Sequence, residues 1–118
     1  MTFCWQNSDG YQSALAAAAL SGQKIDVEAT RMRVLKATPA GDLILHKTGH
    51  GHGPDIHEAP QIMKGNLQRL LQGTDFTIEP GLCRTGDIGV RIEDNVVTLP
   101  EGTRSLTSFP RDLTLIGL

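Results

Sequence analysis

The order of apolar and polar positions divides the chain into a helical opening and an extended remainder. Residues 11–20 are alanine-rich, and alanine has the highest helix propensity of any residue. Ser21-Gly22 follows, and glycine readily takes the left-handed conformation that closes a helix. Ile25, Ala29, Met32 and Leu35 then recur at three- and four-residue spacing, with Asp26 and Glu28 ahead of Arg31, Arg33 and Lys36. Acids near the start and bases near the end suit the helix dipole, so a second helix is expected. It should end near Lys36, because Pro39 pushes the preceding residue out of helical conformation. Ahead of both helices, residues 1–5 read as a strand end and Asn7-Ser8-Asp9-Gly10 as a turn.

After Gly41 the apolar runs become short. Leu43-Ile44-Leu45 is strand-like, Gly65-Asn66 is a turn, and residues 75–79 form a short strand stopped by Pro80-Gly81. Residues 88–99 make the best strand, with Val90, Ile92, Val96 and Val97 among polar neighbours. A terminal extended segment is expected over 103–118 around Pro110. The pattern predicts one α+β domain over residues 1–118, two helices followed by an antiparallel sheet.

Charge and cysteine content narrow the function classes. With 13 acidic and 11 basic residues the net charge is −2, which argues against a nucleic acid or an anionic membrane as partner. No apolar run is long enough to span a bilayer, and the first residues carry no signal-peptide pattern. Cys4 and Cys83 give no disulfide framework; small buried hydrophobes in a reducing cytoplasm are the expectation.

The chemistry-bearing residues fall in the extended part. His46, His50 and His57 are interleaved with Gly49, Gly51 and Gly53. Imidazole is the commonest protein ligand for divalent metals and also transfers protons, and glycines between ligands allow close backbone approach. His52, if the segment is extended, is expected to face away from His50. Glu79 precedes Pro80, which holds it in extended conformation. Glu93 is expected in mid-strand, with Arg91 and Asn95 on its face and Ile92, Asp94 and Val96 on the other. Taken alone, Arg91 and Glu93 make an ordinary ion pair on a solvated sheet face.

Three ordered segments change that balance. His46-Lys47-Thr48-Gly49-His50-Gly51-His52-Gly53-Pro54-Asp55-Ile56-His57-Glu58, Phe76-Thr77-Ile78-Glu79-Pro80-Gly81-Leu82 and Gly89-Val90-Arg91-Ile92-Glu93-Asp94-Asn95-Val96-Val97 resemble segments of the creatinase/aminopeptidase P/prolidase family of metallopeptidases. The tail through Leu106-Thr107-Ser108-Phe109-Pro110 is similar to that family's carboxy-terminal end. The resemblance covers the chain from about Leu20 onward and corresponds to the carboxy-terminal half of the catalytic domain. It implies a half or truncated pita-bread fold, a curved antiparallel sheet with two helices on its outer face. It implies divalent metal, Mn, Co or Zn, held by His50, Glu79 and Glu93. It further implies that Glu79 takes a proton from the attacking water, that His57 contacts the substrate carbonyl, that His46 lies on the substrate side, and that Arg91 braces the carboxylates. The substrates implied are peptides with proline after the scissile bond.

The chain also departs from the family pattern. The family's two Asp ligands precede the first long helix, and Met1-Thr2-Phe3-Cys4 resembles the strand ending that follows them. Asp9, Asp26 and Asp42 lack the family's context, and His52 stands where the family has an apolar residue. A His–Glu–Glu set can hold one ion rather than two, with water completing the shell. The expectation is therefore a poor peptidase alone, made active by a second chain carrying the absent Asp pair. The alternative is a non-catalytic module binding metal, peptide or a protein partner. Half of a two-part domain should expose apolar sheet and an unpaired edge, which a homodimer or a second chain would cover.

Overall fold

A computed structural model describes residues 27–37, 41–111, 114, 116 and 117. The strand end expected over 1–5, the first helix over 11–20, and Cys4, Asp9 and Asp26 lie outside the described residues. Helix α1 spans Val27–Lys36, with Arg33 and Lys36 in its last turn, close to the expected stop. Among the described residues, no helix is long and apolar enough to cross a membrane.

Seven strands follow: β1 Gly49–Gly51, β2 Glu58–Ile62, β3 Asp75–Ile78, β4 Gly81–Cys83, β5 Gly89–Arg91, β6 Asp94–Leu99 and β7 Gly102–Ser105. Five form one antiparallel sheet in the order β2-β1-β3-β6-β7, and β4 pairs β5 in a second sheet. The expected α+β class holds. Three local expectations do not.

Leu43-Ile44-Leu45 is not a strand. Gly41–Leu43 is a short 3-10 turn, and Leu43 and Ile44 pack against buried Leu35 of α1 and Leu82 of β4. Leu43 and Ile44 are apolar because they join the helix to the smaller sheet, while Leu45 is exposed. The single strand expected over 88–99 is two strands in different sheets, interrupted at Ile92 and Glu93. Glu93 therefore lies between strands rather than in mid-strand. Among the described residues of the segment expected over 103–118, strand is confined to the end of β7, which spans Gly102–Ser105. Strand β2 escaped the pattern because Pro60 lies within it; proline is confined to sheet edges, which is where β2 runs.

Period-two alternation gives the main sheet two different faces. Phe76 and Ile78 of β3 point into a core with Ile62 and Val96, closed by Leu70. Phe76 pairs Val96 across the β3–β6 ladder, and Thr77 pairs Asn95. Asp75, Thr77 and, just past the strand, Glu79 occupy the opposite face. Within β6 the expected alternation holds, Asp94 and Val96 being buried and Asn95 half-buried, but Arg91 belongs to the other sheet and Ile92 and Glu93 to the break between them. Asp94 carries a charge into the core face. One carboxylate oxygen meets Arg111 Nε at 2.6 Å; the other has no hydrogen-bond partner among the described residues.

Gly49 and Gly51 set how closely the strands approach. A Cβ on Gly49 would collide with the Thr77 carbonyl of β3, and one on Gly51 with the Ala59 carbonyl of β2. Both clashes are with backbone that cannot swing aside. Gly49→Ala is expected to destabilise the chain by about 3 kcal/mol, at the upper end of overpacking costs. Gly65, at φ +85° with open space around it, should cost only about 1 kcal/mol as alanine; urea unfolding midpoints compare the two. Arg111→Ala leaves the buried Asp94 carboxylate short of a partner. The expected loss is about 2 kcal/mol, below the usual cost for a buried pair because water reaches the arginine. Removing Arg84 from its exposed pair with Asp87 should cost no more than about 0.5 kcal/mol, and thermal unfolding distinguishes the two cases.

Candidate functional site

The face opposite the core carries His50 and Glu79. Strand β1 supplies His50. Its neighbour Thr48 receives the Glu79 amide hydrogen at 2.6 Å and donates its own to Ile62 O at 2.9 Å. This continuation of the ladder sets Glu79 beside His50, and Pro80 keeps the glutamate extended. His50 and Glu79 are both buried, at 7% exposure.

His50 Nε2 lies 3.2 Å from Glu79 Oε1, and Arg91 Nη1 donates to Glu79 Oε2 at 3.1 Å. Arg91 reaches there because its register partner is Gly81, which has no side chain in the way. The guanidinium thus serves Glu79 rather than Glu93. His50 Nδ1 is 3.0 Å from Gly51 O. A carbonyl only accepts, so Nδ1 carries the hydrogen and Nε2 is the ring atom turned toward Glu79. A carboxylate oxygen also only accepts. Either a hydrogen on Nε2 donated to Oε1, or a cation between the two atoms, satisfies this approach.

The spacing suits a cation. Two ligand atoms each about 2.1 Å from one ion are about 3.0 Å apart at a right angle and about 3.4 Å apart at the tetrahedral angle. In kind and spacing, His50 and Glu79 fit as two ligands of a divalent ion. In number they fall short: among the described residues, no three His, Cys, Asp or Glu side chains group closely enough to hold a metal. Glu93 is exposed and does not complete such a group. Its position is one register step past the Ile78–Asp94 pair, alongside Glu79, where strand pairing has ended.

The remaining histidines divide. The His57 ring centroid lies 4.4 Å from that of His50, edge to face, so the structure brings those two together. His46 is exposed. His52, expected to face away, has its ring 5.8 Å from the His50 ring. Residues two apart in extended backbone share a face, and that periodicity decides the matter. His52 Nδ1 meets Asp75 Oδ1 at 3.1 Å, a pair not anticipated from sequence although both residues belong to this face. Thr77 was also missed. Its hydroxyl lies between the two acceptor-bearing residues, taking the His50 amide hydrogen at 2.9 Å and lying 3.2 Å from Glu79 Oε1. A threonine beside a strand glutamate gives no signal in sequence.

The family model described as metallopeptidase family M24 matches residues 5–99. The chain belongs to that family. An Xaa-Pro dipeptidase of Lactobacillus helveticus is 33% identical over 110 residues, covering 93% of this chain and 30% of that protein. Among solved structures, a dipeptidase from Pyrococcus horikoshii OT3 superposes with a TM-score of 0.84 at 36% identity, over 95% of this chain and 32% of that one. The prolidase from Pyrococcus furiosus gives 0.84 at 31% identity, over 92% and 32%. The M24 chain therefore has a partial pita-bread fold and spans about a third of the length of these relatives.

The hydrogen-bond partner of Nδ1 makes one sharp prediction. In 15N-correlated NMR spectra, neutral His50 should be the Nδ1–H tautomer. An Nε2–H signal would contradict the geometry.

Proposed function

We propose that these residues form the His–Glu portion of the metal centre of an Xaa-Pro dipeptidase- or aminopeptidase-type metallopeptidase, with further carboxylates supplied from outside the described residues. The observation that carries the reading is the approach of His50 Nε2 to Glu79 Oε1 at 3.2 Å, a spacing that a cation between them fits. The names of the similar proteins, Xaa-Pro dipeptidase and prolidase, support the substrate class.

In this reading His50, Glu79 and Glu93 hold a divalent ion, Mn, Co or Zn. The bound ion supplies Lewis-acid polarisation and acidifies the attacking water. Glu79 accepts a proton from that water while Arg91 holds its second oxygen. His57, beside His50, donates a hydrogen bond to the oxygen that develops negative charge on the scissile carbonyl. His46 lies on the substrate side. The other carboxylates come from a second chain or a second copy of this one, and the free thiol of Cys83 suits a reducing cytoplasm. Grouping of only two candidate ligands among the described residues favours a second reading, a non-catalytic module that binds metal or peptide without turnover.

Isothermal titration with Mn²⁺ and hydrolysis of Ala-Pro test both readings. Wild type should bind Mn²⁺, and His50→Ala or Glu79→Ala should weaken binding by at least about tenfold, the lower end of second-shell losses. Hydrolysis should appear only when a chain corresponding to the unmatched part of the relatives is added. Binding without turnover under that condition selects the module. Absence of any His50-dependent Mn²⁺ binding defeats both.

A further inference from the structure

We propose that Thr77 is a positioning residue of this centre, whose single hydroxyl proton selects the oxygen and orientation with which Glu79 meets a metal ion. The inference rests on the metal-binding reading above and deepens it.

Thr77 is fully buried on the face opposite Phe76 and Ile78. Its hydroxyl oxygen accepts the His50 backbone hydrogen at 2.9 Å. A hydroxyl has one hydrogen to give, and two acceptors are near: Glu79 Oε1 at 3.2 Å and His50 O at 3.5 Å. The carboxylate is nearer and charged, which makes it the stronger acceptor, while 3.5 Å is at the limit for a hydrogen bond. The proton therefore goes to Glu79 Oε1. Arg91 holds the other oxygen. Both ends of the carboxylate are thus fixed, and the oxygen facing His50 Nε2 keeps a lone pair for an ion. The same hydroxyl fixes the His50 backbone, so one group couples two ligand positions that are far apart in sequence.

Thr98 provides an internal comparison. It is equally buried, accepts from Thr74 N at 2.9 Å and donates to Leu71 O, and touches neither His50 nor Glu79. Its loss should affect stability alone.

The test is Mn²⁺ affinity by isothermal titration on Thr77→Val, Thr77→Ala, Thr77→Ser and Thr98→Val, with folding followed by circular dichroism. Thr77→Val and Thr77→Ala should weaken Mn²⁺ binding about 10- to 100-fold, the range for loss of a partner behind a ligand, while Thr77→Ser should stay within about threefold of wild type. Thr98→Val should leave the affinity unchanged while lowering the unfolding midpoint. If Thr77→Val does not fold, the alanine and serine variants decide the matter. Wild-type affinity in the alanine variant, equal losses in alanine and serine, or an equal loss in Thr98→Val would overturn the positioning role and leave the metal reading standing. Failure of wild type to bind Mn²⁺ through His50 would remove both.

Discussion

The candidate site depends on the close approach of β1 to β3 at Gly49. With no side chain there, the Thr77 carbonyl lies where a Cβ would otherwise project, and the Thr77 hydroxyl reaches the His50 amide. That contact sets the height of His50 above the sheet and its distance from Glu79. The glycines of the histidine segment were expected to admit a metal or substrate. At Gly49 and Gly51 they admit a neighbouring strand instead, and the placement of His50 beside Glu79 follows from that packing.

Alternation along β3 then separates structural from chemical work. Phe76 and Ile78 bury apolar surface with Val96 and Ile62, while Asp75, Thr77 and Glu79 carry polar groups on the other side. A strand whose two faces are both buried cannot slip by one residue without placing a carboxylate in the core and a phenylalanine among imidazoles. The core therefore holds the register that places Glu79 beside His50. The smaller sheet contributes through Arg91, which crosses Gly81, and through Leu82, which anchors α1 by Leu35.

The second helix, the β3 strand and the family were legible in the sequence because each rests on local pattern: apolar spacing before Lys36, a Pro-Gly stop after Glu79, three ordered motifs. The closeness of His50, Glu79 and His57 also followed from the motifs. What was not legible is long-range or ambiguous locally. Leu43-Ile44-Leu45 has the composition of a strand, yet Leu43 and Ile44 are used in packing between helix and sheet. The break at Ile92 and Glu93 has no glycine or proline to announce it, since it arises where the chain passes from one sheet to another. The Asp94–Arg111 pair joins residues that no periodicity relates; alternation put Asp94 on the face of Val96, but nothing local names the arginine that meets it.

The Arg91–Glu79 contact has a consequence for charge balance. The guanidinium offsets the charge of the carboxylate it holds, so this part of the candidate site has ligand atoms to offer a divalent cation but little net negative charge. The arginine orients Glu79 without an ion, and for the same reason offsets much of the attraction an ion would feel. Further carboxylates are therefore needed to neutralise the cation as well as to complete its coordination shell.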